Sequence, residues 1–107
     1  MAKIKIESKK AHIIWSETAK NSLQEIIAYI KQDSVDSARK VAYEIVKKTS
    51  RLESFPDSGK ILSEFPEMPY REIIVGKYRI IYEHKENIVE IITILHGKRL
   101  LKYEYLS

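Results

Sequence analysis

The chain has 107 residues, 44% of them hydrophobic, with only three Gly and three Pro, which predicts one domain spanning residues 1–107 around a single core. Its 19 Lys and Arg outnumber its 15 Asp and Glu, which favours acidic partners such as nucleic acid or an acidic protein segment. The absence of Cys excludes disulfides, Cys-based zinc sites and thiol nucleophiles, and the lack of a signal-peptide or membrane-spanning run predicts a soluble cytoplasmic protein without a membrane role.

The first half of the chain predicts one strand followed by two helices. Residues 11–15 are an apolar run, and Ser16 after it can accept a hydrogen bond from the first free N–H groups of a helix. From Glu17 to about Gln32, apolar residues recur at helical spacing and define one buried face. Ser34 or Asp36 can then begin a second helix that runs to about Ser54. The short connection between them predicts an antiparallel helix hairpin.

The second half predicts a loop and then three strands. Residues 55–59 (Phe-Pro-Asp-Ser-Gly) form a turn signal, and the stretch as far as Pro69 is expected to be irregular, with room for a short edge strand. Gly76 and Lys77 are typical of a two-residue type II′ hairpin turn, which would pair Val75 with Tyr78. The same register pairs Ile73 with Ile80 and Ile74 with Arg79. Residues 88–95 are almost all apolar, as expected for a central strand.

Alternation along this hairpin divides its side chains between two faces of the sheet. Tyr78, Ile80 and Tyr82 are expected to face the helices. Arg79 falls on the opposite face together with Glu72, and we expect that face to be open.

No motif of ordinary enzyme chemistry is present, and the three His residues lack metal-ligand spacing, so neither a metal nor a cofactor is predicted. What remains is a set of cationic and aromatic residues on the hairpin and after the last strand, a combination that can contact a polyanion. The set comprises Arg71, Lys77, Arg79, His96, Lys98, Arg99, Lys102, Tyr103 and Tyr105.

This set is compatible with two kinds of function. Arginines can neutralise a phosphate while a Tyr or His moves the proton of a ribose 2′-hydroxyl, which would be metal-free RNA cleavage. The same surface could instead bind a protein or a duplex without chemistry. A structural alternative is also open for Arg79, which could form a cross-strand ion pair with Glu72. His96 could be structural, and Lys98 and Lys102 could simply be solvated.

The order and spacing of these segments resemble the RelE/ParE superfamily of bacterial and archaeal type II toxins. The resemblance implies a β-α-α-β-β-β fold of the α+β class, in which an antiparallel helix hairpin packs on one face of a small, mainly antiparallel sheet. It also implies a cognate antitoxin and growth inhibition when that antitoxin is lost, as in plasmid stabilization. The resemblance is carried by Trp15-Ser-Glu-Thr-Ala19, Leu23 to Ile30, Leu52 to Gly59, Tyr70-Arg-Glu72, Tyr78-Arg-Ile-Ile-Tyr82 and His96-Gly-Lys-Arg99.

The superfamily contains two activities, which leave open whether this chain is an enzyme. RelE-like toxins cut mRNA in the ribosomal A site, and the resemblance would give those catalytic roles to Arg79, Arg99 and Tyr105, with His96 beside them and Arg71 where that branch often has lysine. ParE-like toxins are not nucleases but inhibit DNA gyrase, and the long helix hairpin and the His-Gly-x-Arg segment favour this branch. A third possibility is an inactive relative that only binds the antitoxin.

The antitoxin is expected to contribute an extended or helical acidic segment that packs on the helix hairpin or the open sheet and covers the basic residues.

Overall fold

The computed structural model describes residues 10–97, 99 and 101–106, and it consists of a helix hairpin on one face of a five-stranded sheet. Two short 3₁₀ turns complete it, at Arg51–Glu53 and Tyr103–Leu106. The main elements are β1 (His12–Trp15), α1 (Glu17–Lys31), α2 (Val35–Ser50), β2 (Lys60–Ile61), β3 (Tyr70–Val75), β4 (Tyr78–Lys85) and β5 (Ile88–His96). The predicted α+β fold is confirmed.

The strands lie in the order β1-β5-β4-β3-β2, so β5 is an interior strand, flanked by β1 and β4. β1 runs parallel to β5, whereas the other neighbours are antiparallel. The three hairpin pairs predicted for β3 and β4 are all present. Gly76 has φ 57° and Lys77 has no positive φ, which is the combination that a type II′ turn requires.

Serine caps fix where both helices begin. Ser16 Oγ accepts a hydrogen bond from the Ala19 N–H at 3.0 Å and donates one to the Ile92 carbonyl at 2.8 Å, so the start of α1 is tied to β5. Ser34, one of the two candidates, caps α2 through the Ser37 N–H. α2 ends at Ser50 and not at Ser54, because the chain tightens into a 3₁₀ turn before Phe55, the residue whose helical conformation Pro56 disfavours.

The main core lies between the helix hairpin and the sheet. Ala19 and Ile45 are fully buried in it, as the helical spacing predicted, and Ile80 and Tyr82 of β4 are buried against them. Tyr78 packs at the margin of the same core. No helix in the described part of the chain is long and apolar enough to cross a membrane.

The opposite face of the sheet is not open along its whole length, which corrects one prediction. A second apolar cluster covers the part near β4 and β5, so the expectation of a single core was incomplete. Its members are Leu62, Ile81, Ile92, Leu95, Leu101 and Leu106, with Phe65 and Tyr70 packed against them. Leu62 and Phe65 come from the irregular stretch before β3, where isolated apolar residues carry no periodic signal.

Candidate functional site

Tyr78 and His96 form an aromatic ridge where β4 begins and β5 ends. The two residues are directly paired across the strands, and their rings meet edge to face with centroids 5.8 Å apart. The Gly97 N–H donates to the Lys77 carbonyl at 2.7 Å, which ties the exit of β5 to the hairpin turn. Three depressions in the surface meet at this ridge.

The largest depression, the helix groove, has a volume of about 950 Å³ and lies between the helix hairpin and the β3–β4 turn. Its apolar lining includes Tyr29, Val41 and Val75, and Tyr29 is 72% exposed. Charged residues also line it, and three of the four are lysines: Lys40, Lys48 and Lys77 with Glu44. An apolar groove with this charge balance suits an acidic amphipathic segment.

Two smaller depressions bring predicted site residues together. A cavity of about 280 Å³ at the hairpin turn is lined by Lys77, Arg79 and His96 among others. A groove of about 380 Å³ between α1 and β5 is lined by His96 and Arg99 among others, with Asn21 and Glu25 on the helix side. His96 therefore lies at the junction of the two.

The carboxylates of Glu64 and Glu72 hold the guanidinium group of Arg79. We call these three residues the latch. The Nη1 and Nη2 of Arg79 donate to the two oxygens of Glu64 at 2.7 and 2.9 Å, and its Nε donates to Glu72 Oε2 at 2.9 Å. Only 11% of the Arg79 side chain is exposed. Hydrogen bonding to Glu64 is the main cause that raises the pKa of Arg79, and the same contact lowers the pKa of Glu64.

The prediction that Arg79 lies on an uncovered face is therefore wrong, and the cross-strand pair with Glu72 is present. Glu64 was missed by the sequence analysis. It belongs to the irregular stretch before β3, and no spacing rule connects that stretch to β4. The predicted catalytic role of Arg79 stays a prediction.

Arg71 lies at the other end of the hairpin from Lys77, four residues before the end of β3 at Val75, or about 13 Å along an extended strand. Its Nη1 donates to the Gly59 carbonyl at 2.9 Å, and its Nε lies 3.9 Å from Asp57. Asp57 also bonds His84 Nδ1 at 2.8 Å. These contacts fasten the turn after α2 to the sheet, so the structure does not bring Arg71 to the ridge.

The remaining predicted site residues follow β5. Lys98 and the side chains of Tyr103 and Tyr105 lie outside the described part of the structure, so their predicted roles stay predictions. Lys102 is exposed, which agrees with the alternative that its side chain is simply solvated. Among residues 10–97, 99 and 101–106, no group of three or more His, Asp or Glu is arranged to hold a metal ion.

Comparison with known proteins identifies the family. Residues 13–101 match the model of the ParE toxin of the type II toxin-antitoxin system parDE, so the chain belongs to the ParE toxin family. It is the toxin component of such a system, and its partner is an antitoxin. A search of curated proteins found no match.

Solved structures agree with this fold. The chromosomal ParDE system from P. aeruginosa superimposes with a TM-score of 0.70 at 20% identity, covering 85% of this chain and 100% of that one. The toxin-antitoxin complex RelBE2 from Mycobacterium tuberculosis gives 0.61 at 17% identity, covering 84% and 94%. A mutant of the E. coli toxin RelE in the free state gives 0.59 at 17% identity, covering 83% and 85%.

Proposed function

We propose that this ParE-family toxin arrests growth by inhibiting DNA gyrase and not by cleaving mRNA. The observation that carries the proposal is the latch. At the position where RelE-like cleavage would need an arginine directed at phosphate, Arg79 already makes a bidentate bond to Glu64 and a further bond to Glu72.

Charge balance argues against phosphate binding at this arginine. A phosphate would have to replace Glu64, because the fork of Nη1 and Nη2 that suits an oxyanion is the one that Glu64 occupies. It would then lie close to the carboxylate of Glu72, whose side chain is only 13% exposed. Like charges at such a short distance repel strongly. An mRNA cleavage mechanism that uses Arg79, Arg99, Tyr105 and His96 would therefore require the latch to open first.

We assign contact with gyrase to the surface around the ridge. Lys77, His96 and Arg99 lie beside depressions that meet there, and they are contributed by a hairpin turn and a strand end. Aromatic and arginine side chains are common anchors of protein interfaces.

The helix groove is our candidate site for the cognate antitoxin. Its apolar lining would accept the nonpolar side of an amphipathic helix, and Lys40, Lys48 and Lys77 would pair with acidic residues beside that stripe. Because Tyr78 and His96 also line the groove, a segment bound there would cover the ridge. Neutralisation by the antitoxin would then follow from simple occlusion of the gyrase-contacting surface.

Two assays with the purified chain separate the candidate activities. In a supercoiling assay, we expect cleaved plasmid to accumulate when gyrase is incubated with the chain. In toeprinting of a programmed ribosome, we expect no codon-phased cleavage of mRNA. An unaffected gyrase would overturn the proposal, and phased cleavage that is lost in Arg79→Ala would establish the RelE-like alternative. No growth defect on expression without an antitoxin would identify an inactive relative.

A further inference from the structure

The second apolar cluster is built from two segments that are far apart in sequence. One is residues 62–69, before β3, and the other is residues 101–106, after β5. Leu62, Leu101 and Leu106 are almost fully buried, at 0%, 6% and 7% exposure, against the same face of the sheet. We call these two segments the cap.

Between residues that the structure describes, few backbone hydrogen bonds hold the first segment of the cap to the sheet. One of them is a long hydrogen bond, of 3.4 Å, from the Leu62 N–H to the Tyr70 carbonyl. The Met68 N–H bonds the Phe65 carbonyl within the segment itself. Side-chain contacts of Leu62 and Phe65 in the second apolar cluster also hold this part of the cap.

The latch is the strongest of the polar contacts that the described residues show between this segment and the sheet. Glu64 bonds Arg79 with two short hydrogen bonds, and Arg79 is anchored in turn by Glu72 on the neighbouring strand. Arg79 is paired directly with Leu95, which belongs to the second apolar cluster. The charged latch and the apolar cluster thus lie side by side on the same face.

From this geometry we propose that Glu64 is a positioning residue: through Arg79 it fixes the first segment of the cap, and through the shared cluster it orders the C-terminal segment that follows Arg99. The proposal rests on the proposed function at one point only: the proposed contact with gyrase is what gives the region around Arg99 a role. Residues in mutual contact through one cluster are energetically coupled, so loosening residues 62–69 removes packing partners from Leu101 and Leu106.

The proposal has a specific consequence for motion. The cap should open as one unit at a lower free energy than global unfolding, because the second apolar cluster that holds it is much smaller than the main core. The helices and the main core should not take part in this opening. Amide hydrogen exchange measures such local openings directly.

The test compares Glu64→Gln with Glu67→Gln in the purified chain, produced by cell-free translation. Both changes remove one negative charge from the same segment, and Glu67 is exposed, with no contact to the latch. In Glu64→Gln we expect exchange of the hydrogen-bonded amides in both cap segments, Leu62 and Met68 among them, to become roughly tenfold faster. Exchange in α1 and α2 should stay unchanged, and Glu67→Gln should match the wild type.

Two further measurements keep the proposal falsifiable if Glu64→Gln proves too unstable. Leu101→Ala alters only the C-terminal segment, and it should speed exchange in residues 62–69 as well. The guanidinium NMR signals of Arg79 report the latch itself: separate Nη signals are expected in the wild type and averaged signals in Glu64→Gln. Faster exchange confined to residues 62–69, or an effect of Leu101→Ala confined to residues 101–106, would overturn the coupling.

These outcomes are independent of the target. The exchange rates of the cap are measured on the chain alone, so they do not depend on whether any variant inhibits gyrase. Conversely, a failure of the coupling would leave the proposed inhibition of gyrase standing.

Discussion

The hydroxyl of Tyr82 accepts a hydrogen bond from the backbone N–H of Gly59 at 2.8 Å, and it does so inside the main core. Burial raises the pKa of this tyrosine, so the hydroxyl stays neutral. The approach is close because Gly59 has no side chain: an added Cβ would lie 2.5 Å from the Tyr82 oxygen and 2.8 Å from the Glu72 carbonyl. The contact joins the turn after α2 to the middle of the sheet.

We predict that Gly59→Ala destabilises the fold by about 1–3 kcal/mol, because neither the buried tyrosine nor the backbone of β3 can move away cheaply. The free energy of unfolding from urea denaturation measures the effect. Ser58→Ala is the matched control, since Ser58 is exposed in the same turn. A Gly59→Ala protein as stable as the wild type would mean that the turn can shift.

We predict that Tyr82→Phe costs about 1–2 kcal/mol, the usual penalty for leaving a buried backbone N–H without its partner. The change keeps the ring and therefore the packing of the core. Thermal denaturation should show a lower midpoint for Tyr82→Phe, whereas Tyr43→Phe on the exposed surface of α2 should show no change. Equal midpoints would indicate that water can replace the hydroxyl.

The latch predicts a pH dependence with a definite sign. The pKa of Glu64 in the folded chain lies below its ordinary value of 4.5, mainly because of its hydrogen bonds to Arg79. A carboxyl whose pKa is lowered by folding stabilises the fold above its unfolded pKa, and this stabilisation is lost as the pH falls through the folded value. Glu64→Gln should therefore be less stable than the wild type at pH 7, and the difference should shrink below about pH 4.5. A difference independent of pH would contradict an ionic latch.

Much of this fold follows from local sequence. Ser16 and Ser34 cap helices because their hydroxyls satisfy free N–H groups, and Gly76 permits the turn that sets the register of β3 and β4. These signals act over a few residues. Glu64 and Arg79 are 15 residues apart, and they meet because an irregular segment folds over the sheet, which neither periodicity nor spacing encodes. The parallel pairing of β1 with β5 is likewise a tertiary contact, so local patterns predicted both strands but not their pairing.

In the candidate site, too, local sequence predicts part of the arrangement and tertiary contacts decide the rest. The sequence predicted that Lys77, His96 and Arg99 lie near one end of the sheet, and the structure places them there. The reason is that the β3–β4 turn and the end of the adjacent strand β5 must lie at the same end of an antiparallel sheet. The sequence also grouped Arg71 with them, whereas in the structure the four strand residues 72–75 separate Arg71 from the turn. It also treated Arg79 as available, since the second carboxylate of the latch lies outside the hairpin.

The proposed contact with gyrase around the ridge predicts a charge effect on inhibition. Lys77→Glu and Arg99→Glu should each reduce gyrase inhibition at least about tenfold, because reversing a cation in an interface introduces repulsion where attraction steered association. The concentration that gives half-maximal plasmid cleavage measures this loss. Lys85→Glu is the control, since Lys85 is exposed at the far end of β4. Circular dichroism should confirm that all three variants are folded. Unchanged inhibition by both Lys77→Glu and Arg99→Glu would exclude this surface as the gyrase contact.

The helix groove makes a separate prediction for the antitoxin. Lys40→Glu and Lys48→Glu together should weaken binding of the cognate antitoxin about tenfold or more, chiefly at low salt, because exposed charge pairs are screened as ionic strength rises. Val41→Asp should weaken binding at every salt concentration, since it places a charge in the apolar lining. Isothermal titration calorimetry at two salt concentrations separates the two effects. Lys20→Glu on the exposed part of α1 should bind as the wild type does, and normal affinity in the groove variants would exclude this groove as the docking site.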